Sequence, residues 1–367
     1  MHQLEPLTAP VEPREALRRT AYLLERSRQH SRRVEAFRGA VGVVDEVGED
    51  EIRERAEAGT LTELAGIGGS TAGVIAQAVA GELPDYLERQ QREHGGPLVE
   101  GGEGTGSAPA DADAATLDPA ADEYLAAIVG DCHSHSDWSD GGSPIQEMVL
   151  TAVELGQEWL VLTDHSPRLR VANGLSSDRL RQQLRLVAGI NRSLGDSFRL
   201  LKGIEVDILD DGSLDQSEEM LGRLDVVTAS VHSTLRMAKG AMTERMLAAV
   251  RNPRVDVLGH CTGRLVTGSR GTRPQSEFDA RAVFEACAEH DVAVEINSRP
   301  ERCDPPDDLL ELALEIGCLV AIDSDAHAPG QLEMKAYGAQ RAARLGVPLD
   351  RVVTTWSADR LLGWAGP

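Results

Sequence analysis

Residues 129–142, VGDCHSHSDWSDGG, set two histidines one residue apart just behind the apolar run YLAAIV. In an extended strand residues i and i+2 share a face. His133 and His135 are therefore expected side by side, with Cys132 and Ser134 turned away. Residues of the same chemical type close every later apolar run: Asp140 just beyond the first, then Asp164 and His165, Glu205, His232, His260, Glu295 with Asn297, and Asp323, Asp325 and His327. One histidine at a strand end is ordinarily structural or solvated. Most of a chain's ten histidines gathered with carboxylates at successive run ends are not. Imidazole and carboxylate donors without thiolates suit Zn2+, Mn2+ or Fe2+. There are more donors here than one four-coordinate ion needs, so two to three divalent metal ions are expected.

Several such ions in one cleft make a hydroxide available near neutral pH and stabilise charge on a phosphoryl oxygen. Phosphate-ester hydrolysis is the chemistry this set suits best. Arg170, Arg264 and Arg299 follow the run ends closely. Guanidinium groups grip phosphate oxygens through two-point contacts, so these arginines, with Asn297, are the candidate substrate-binding residues.

Such residues have to be carried by regular elements. From 123 to 367 the chain alternates seven short apolar runs (AAIVGD, WLVLTDH, LLKGIEVDI, LDVVTASVH, VDVLGH, VAVEIN and CLVAIDSDAH) with helix-like segments. This pattern predicts an α/β fold, a distorted (βα)7-type barrel of buried parallel strands. The chemistry sits at the C-terminal ends of the strands, where such barrels place it. Residues 13–92 read as a small all-helical domain, residues 1–12 as a flexible tail, and residues 93–122, rich in Gly, Ala, Pro and Asp, as a flexible linker. Arg14 to Arg38 carry eight arginines against three glutamates. In LAGIGGST, the amides of Gly66, Gly68 and Gly69 precede a helix and could meet an anion. No strand precedes these glycines, so a dinucleotide fingerprint is excluded.

The 367 residues carry a formal net charge of −23, which disfavours bulk electrostatic binding of nucleic acid. Five cysteines without a C-x-x-C pair fit a reducing cytoplasm. No apolar stretch has the length of a membrane span, so no membrane partner is expected.

The ordered motifs H-x-H…D, T-D-H, G-x-E-x-D, S-V-H-S, G-H-x-T-G-R, E-I-N and D-A-H resemble the PHP (polymerase and histidinol phosphatase) domain. The version they resemble most is the one at the C-terminus of bacterial family X DNA polymerases. TDHSPRLRVANGLS, GIEVDILDDGSLD and MTERMLAAVRNPRVDVLGHCTGRL carry that likeness over residues 123–367. RVEAFRGAV and LTELAGIGGSTAGVI are similar to the helix-hairpin-helix domain of the same polymerases. A palm between the two blocks is missing. Asp111 and Asp113 lie in the linker without flanking strands, so no polymerase activity is expected. The resemblance implies three metal positions: His133, His135, Glu205 and Asp325 at one; Glu205 bridging to His232 and His260 at a second; Asp140, His165 and His327 at the third. It implies catalytic roles for His133, His135, Glu205, His232 and Asp325. Strand alternation turns Asp164 and Asp323 away from their neighbours, which gives them a supporting or structural role.

The expected function is a metal-dependent phosphoesterase acting on DNA ends, as a 3′-to-5′ exonuclease or 3′-end-processing enzyme. The helical domain would dock DNA through Gly66, Gly68, Gly69 and its arginines. The alternatives are a small-molecule phosphatase of the histidinol-phosphatase type and a DNA-binding protein with a non-catalytic metal site.

Overall fold

A computed structural model describes residues 1–29, 31–98, 120–267 and 271–366. The chain divides into two compact units, one of Met1–His2, Gly101–His327 and Leu332–Pro367, the other of Gln3–Glu100 and Ala328–Gln331. Most of the expected linker, residues 99–119, lies outside the described residues. Among the described residues no helix is long and apolar enough to cross a membrane.

The smaller unit is helical: α1 (Pro13–Arg26), α2 (Ser31–Val47), α3 (Glu49–Ala58), α4 (Gly69–Val79) and α5 (Asp85–His94). Pro13 occupies the first turn of α1, where its missing N–H costs nothing. Leu17, Ala21 and Leu24 recur at helical spacing and pack with Phe37, Val41, Ile52, Ile75 and Leu87. Residues 3–12, expected as part of a flexible tail, are held instead. The Leu7 N–H donates to Gln91 Oε1 at 2.6 Å, Gln91 Nε2 returns a bond to Leu7 O, and Leu4, Leu7 and Val11 cover the core.

The larger unit contains α6 (Ala121–Ala127), α7 (Ile145–Glu154), β1 (Trp159–Leu162), α8 (Ser177–Leu194), β2 (Arg199–Asp207), α9 (Glu218–Leu221), β3 (Val226–Ser230), α10 (Lys239–Val250), β4 (Val257–Leu258), α11 (Ala280–Glu289), β5 (Ala293–Asn297), α12 (Asp307–Ile316), β6 (Val320–Asp323), α13 (Lys335–Arg344) and α14 (Ala358–Ala365). The six strands form one parallel sheet in chain order, β1 to β6. Alternation along the strands sorts their side chains. Ile204, Val206, Leu258 and Val294 join Met242, Met246, Val283 and Phe284 from the helices in one apolar cluster. Trp159, Val161, Leu201, Val257, Ala293 and Ala321 form a second cluster. Leu201, Ala293 and Ala321 share their strand face with Glu205, Glu295 and Asp323, further along toward the C-terminal ends.

The first of the seven expected strands is not regular. The run YLAAIV is largely helical, within α6, and residues 129–135 are irregular, with a bend at Cys132 and a single bridge at Ser134. The reason lies in their backbone donors. The N–H groups of Cys132, His133 and Ser134 go to Asp323 Oδ1, Asp131 Oδ1 and Thr163 Oγ1 at 2.7, 3.2 and 2.9 Å. Side chains have taken the place of strand partners. The segment still joins the sheet edges: Val161 N and Thr163 N donate to Asp131 O and Ser134 O, and His135 N donates to Ala326 O. A single parallel bridge pairs Ser134 with Ala326.

Candidate metal centre

The nine predicted donors converge. Glu205, on β2 and almost wholly buried, lies at the centre. Its Oε1 is 2.9 Å from His260 Nε2, 3.1 Å from His232 Nε2 and 3.4 Å from His133 Nε2. Its Oε2 is 2.6 Å from His165 Nδ1 and 3.7 Å from His135 Nε2. Asp325 Oδ1 is 3.5 Å from His135 Nε2 and 3.8 Å from His133 Nε2. Asp140 Oδ1 is 3.4 Å from both His165 Nε2 and His327 Nε2. Four groups have donor atoms close enough to share an ion: His133, His135 and Asp325; His133, Glu205 and His260; His165, Glu205 and His232; and His135, Asp140, His165 and His327. Glu205 belongs to two of these groups, and His133, His135 and His165 also recur. The arrangement is thus more interlocked than three separate ligand sets.

His260 Nε2 and Glu205 Oε1 are hydrogen-bonded at 2.9 Å, but many of the other donor atoms approach one another without a bond. His133 Nε2, both ring nitrogens of His135, His165 Nδ1, both ring nitrogens of His232, His260 Nδ1 and Glu205 Oε2 are buried and lack hydrogen-bond partners. His165 Nδ1 sits 2.6 Å from Glu205 Oε2 yet outside hydrogen-bonding geometry. Buried polar atoms are normally satisfied, and lone pairs turned toward common points suit a shared cation. The donor set, nitrogen and oxygen only, fits divalent Zn, Mn or Fe. Cys132 packs in the apolar layer, and Cys261 Sγ faces Asp304 at 3.8 Å.

The local electrostatics agree. Burial opposes ionisation of Glu205, but the imidazoles of His232, His165 and His133 outweigh it and hold the carboxyl well below its usual range. Burial likewise opposes a charge on Asp325, and His133 and Arg302 overcome it. Burial, with His327 and His165 beside it, drives His135 well below an ordinary imidazole and keeps it a neutral donor.

Residues beneath the donors fix their orientation. His133 Nδ1 meets Glu295 Oε1 at 2.6 Å, which leaves Nε2 facing the centre. The Asp207 carboxylate is 3.4 Å from His232 Nδ1. Asp164 accepts from Ser136 N, Ser136 Oγ, Ser139 Oγ and Gln183 Nε2, tying down the turn that carries Asp140. The sequence placed Glu295 among the run-end carboxylates and Asp207 in the G-x-E-x-D motif, but assigned neither of them a ligand or supporting role. Their signal was the i, i+2 spacing of each from a selected residue, Glu295 from Asn297 and Asp207 from Glu205.

The expected substrate residues separate. Arg299 is at the centre's rim, with Nη1 2.9 Å from His327 Nδ1 and 3.2 Å from Asp325 O. Arg302, absent from the sequence-based set, lies beside it with Nε 3.1 Å from Asp325 Oδ2. Arg170 is exposed in the loop after His165. Arg264 spends Nε and Nη2 on the carbonyls of Arg302 and Cys303, which makes it a loop tie. Asn297 is buried, and its Nδ2 donates to Asp325 Oδ2 and Glu295 Oε2 at 3.0 and 3.2 Å, so it supports donors in place of meeting substrate.

In the helical unit, Gly66 has φ +91°, and a Cβ there would lie 3.1 Å from a methyl of Val43, so the turn needs glycine. Gly69 opens α4, and Gly68 N is taken by Thr71 Oγ1 at 2.9 Å. The arginine-rich helix is not a solvent stripe. Arg18 pairs with Glu15 and Arg38 with Glu25, while Arg19 and Arg26 donate to carbonyls of Glu5, His94 and Gly96. Arg28, Arg32 and Arg33 remain exposed.

Residues 131–299 match the PHP domain model. The DNA polymerase/3′-5′ exonuclease PolX of Bacillus subtilis (strain 168) is 38% identical over 222 residues, 60% of this chain and 38% of that protein. The chain therefore spans well under two thirds of that relative's length. A probable phosphatase of Acetivibrio thermocellus is 31% identical over 210 residues, covering 54% of this chain and 80% of the relative. One from Caldicellulosiruptor saccharolyticus is 30% identical over 192 residues, covering 50% and 73%. Among solved structures, the histidinol phosphate phosphatase of Lactococcus lactis subsp. lactis Il1403, complexed with zinc, L-histidinol and phosphate, is 19% identical. It covers 60% of this chain and 94% of its own, with a TM-score of 0.44.

Proposed function

The chain belongs to the PHP-domain family and is a metal-dependent phosphoesterase, and we propose that it acts on DNA ends, as a 3′-to-5′ exonuclease or 3′-end-processing hydrolase in the cytoplasm. The observation that carries this reading is the pairing of the donor cluster with a separate helical unit whose α4 begins at a glycine-rich turn. The identity to a DNA polymerase/3′-5′ exonuclease, above that to the two probable phosphatases, supports it.

Two or three divalent ions would be held by His133, His135, Asp140, His165, Glu205, His232, His260, Asp325 and His327. When bound, they supply a deprotonated water near neutral pH and stabilise phosphoryl charge. Arg299 and Arg302 bring guanidinium charge to the rim, where a substrate phosphate is received. Glu295, Asp207 and Asn297 keep rings and carboxylates in register.

A second reading, a small-molecule phosphatase of the histidinol-phosphatase type, is favoured by the internal pairing of Arg18 on α1 with Glu15 and of Arg38 on α2 with Glu25, which leaves less charge for DNA. One metal-loaded preparation offered a 3′-recessed duplex and, separately, histidinol phosphate separates the two. Preferential release of 3′ nucleotides supports the DNA reading. Turnover of histidinol phosphate with an inert duplex replaces it. A preparation that binds DNA but hydrolyses neither substrate would point to a non-catalytic metal site.

A further inference from the structure

Lys335 is one of three lysines in the chain, and it is wholly buried at the first turn of α13. Its Nζ donates to Gly130 O at 3.0 Å and stands 3.2 Å from Asp131 Oδ2. Asp131, equally buried, receives three further donors: His133 N at 3.2 Å, Ser324 N at 3.2 Å and Ser324 Oγ at 2.6 Å. Alongside, Cys132 N donates to Asp323 Oδ1, Ala326 N to Ser324 Oγ and His135 N to Ala326 O.

These bonds stitch two short segments together. One carries His133 and His135, the other Asp325 and His327. Neither is fixed by a regular ladder, since beyond the end of β6 they meet in a single bridge. Asp325 even adopts φ +50°, so its direction is set by its surroundings and not by strand geometry. Two buried carboxylates, Asp131 and Asp323, serve the stitching, and Lys335 is the cation paired with it. A buried carboxylate that loses its counter-charge is costly to keep in place.

We propose that Lys335 is a positioning residue for the metal centre: through Asp131 it sets the spacing between the His133–His135 and Asp325–His327 segments, and so the ion position shared by His133, His135 and Asp325. Lys335 touches neither ion nor substrate. The inference rests on the reading of the cluster as a metal centre.

The test compares the full-length protein with Lys335→Met, each verified as folded by circular dichroism well below its unfolding temperature. Both are loaded with Mn2+, dialysed against a weak chelator, and analysed for metal per chain. Then kcat and KM are measured on a chromogenic phosphodiester. The expected result is lower metal retention, an affinity loss of about 10- to 100-fold at the affected position, and a fall in kcat with KM within about twofold. A folded variant with unchanged metal content and kcat overturns the inference. If Lys335→Met does not fold, Ser324→Ala removes one hydroxyl and no charge. Reduced metal retention there supports the inference, and unchanged retention overturns it. Parent protein that retains no metal overturns the metal reading itself, which distinguishes the two failures.

Discussion

His133 Nδ1 and Glu295 Oε1 lie 2.6 Å apart with both side chains wholly buried, one on the irregular segment before β1 and the other on β5. The contact fixes which ring nitrogen faces the centre. Glu295 also accepts from His260 N and Asn297 Nδ2, so one carboxylate orders donors from three places in the sequence. Glu295→Gln keeps the shape and removes the charge. Metal affinity and kcat/KM are expected to fall by about 10- to 100-fold, checked by metal titration and steady-state kinetics. Wild-type values for both would mean that the ring is oriented by packing alone.

Glu205 approaches five histidines and belongs to two candidate ion positions, whereas Asp140, partly exposed, belongs to one. Glu205→Ala is therefore expected to lose more metal per chain than Asp140→Ala, and to abolish hydrolysis. Elemental analysis of the two purified variants decides the order.

Arg28, Arg32 and Arg33 are the exposed arginines of the basic stretch. If the helical unit docks DNA, replacing all three with alanine in the full chain should weaken DNA binding. The slope of log K against log salt should then shrink by about 2 to 3, since each phosphate contact releases about one counterion. Turnover of a chromogenic phosphodiester should stay unchanged. Identical salt slopes for parent and variant would remove these residues from the DNA reading.

Asp256, just before β4, accepts from Val227 N at 2.7 Å, and burial pushes its carboxyl up to about 8. In the unfolded chain it titrates near about 3.9. Between these values the folded state holds the extra proton, so this group's contribution to stability falls as pH rises through the window and is fully lost above it. Asp256→Asn cannot ionise, and its Oδ1 can still accept from Val227 N. Denaturation of both proteins across pH 5 to 9 should show the variant gaining on the parent as pH rises. A constant difference would show that Asp256 is not the titrating group.

Much of the centre was legible in the chain. Histidines and carboxylates at the ends of apolar runs predict a metal site because parallel strands of a barrel deliver their C-terminal ends to one place. The pattern gathered a wider set of run-end residues, the family resemblance narrowed it to nine ligands, and the structure brings the donor atoms of those nine within reach of one another. The α/β architecture was legible for the same reason, through short buried runs separated by helices.

What periodicity could not supply is which partner a polar atom finds at long range. Asn297 looked open to substrate, but it lies under Asp325 and Glu295. Arg264 looked like a phosphate grip, but its guanidinium closes on the Arg302 and Cys303 carbonyls. The arginines of α1 form a basic run in one dimension, yet the fold brings Glu5 O, His94 O and Gly96 O to them. The first run failed as a strand: α6 takes its opening residues, and just behind it Asp323, Asp131 and Thr163 capture the N–H groups of Cys132, His133 and Ser134. Local residue types and their spacing therefore determined which side chains can hold an ion and which strand ends carry them. Tertiary structure decided which polar groups face the centre and which are spent on one another, because a hydrogen bond depends on distance and direction between atoms far apart in the chain, 205 residues in the bond from Lys335 to Gly130.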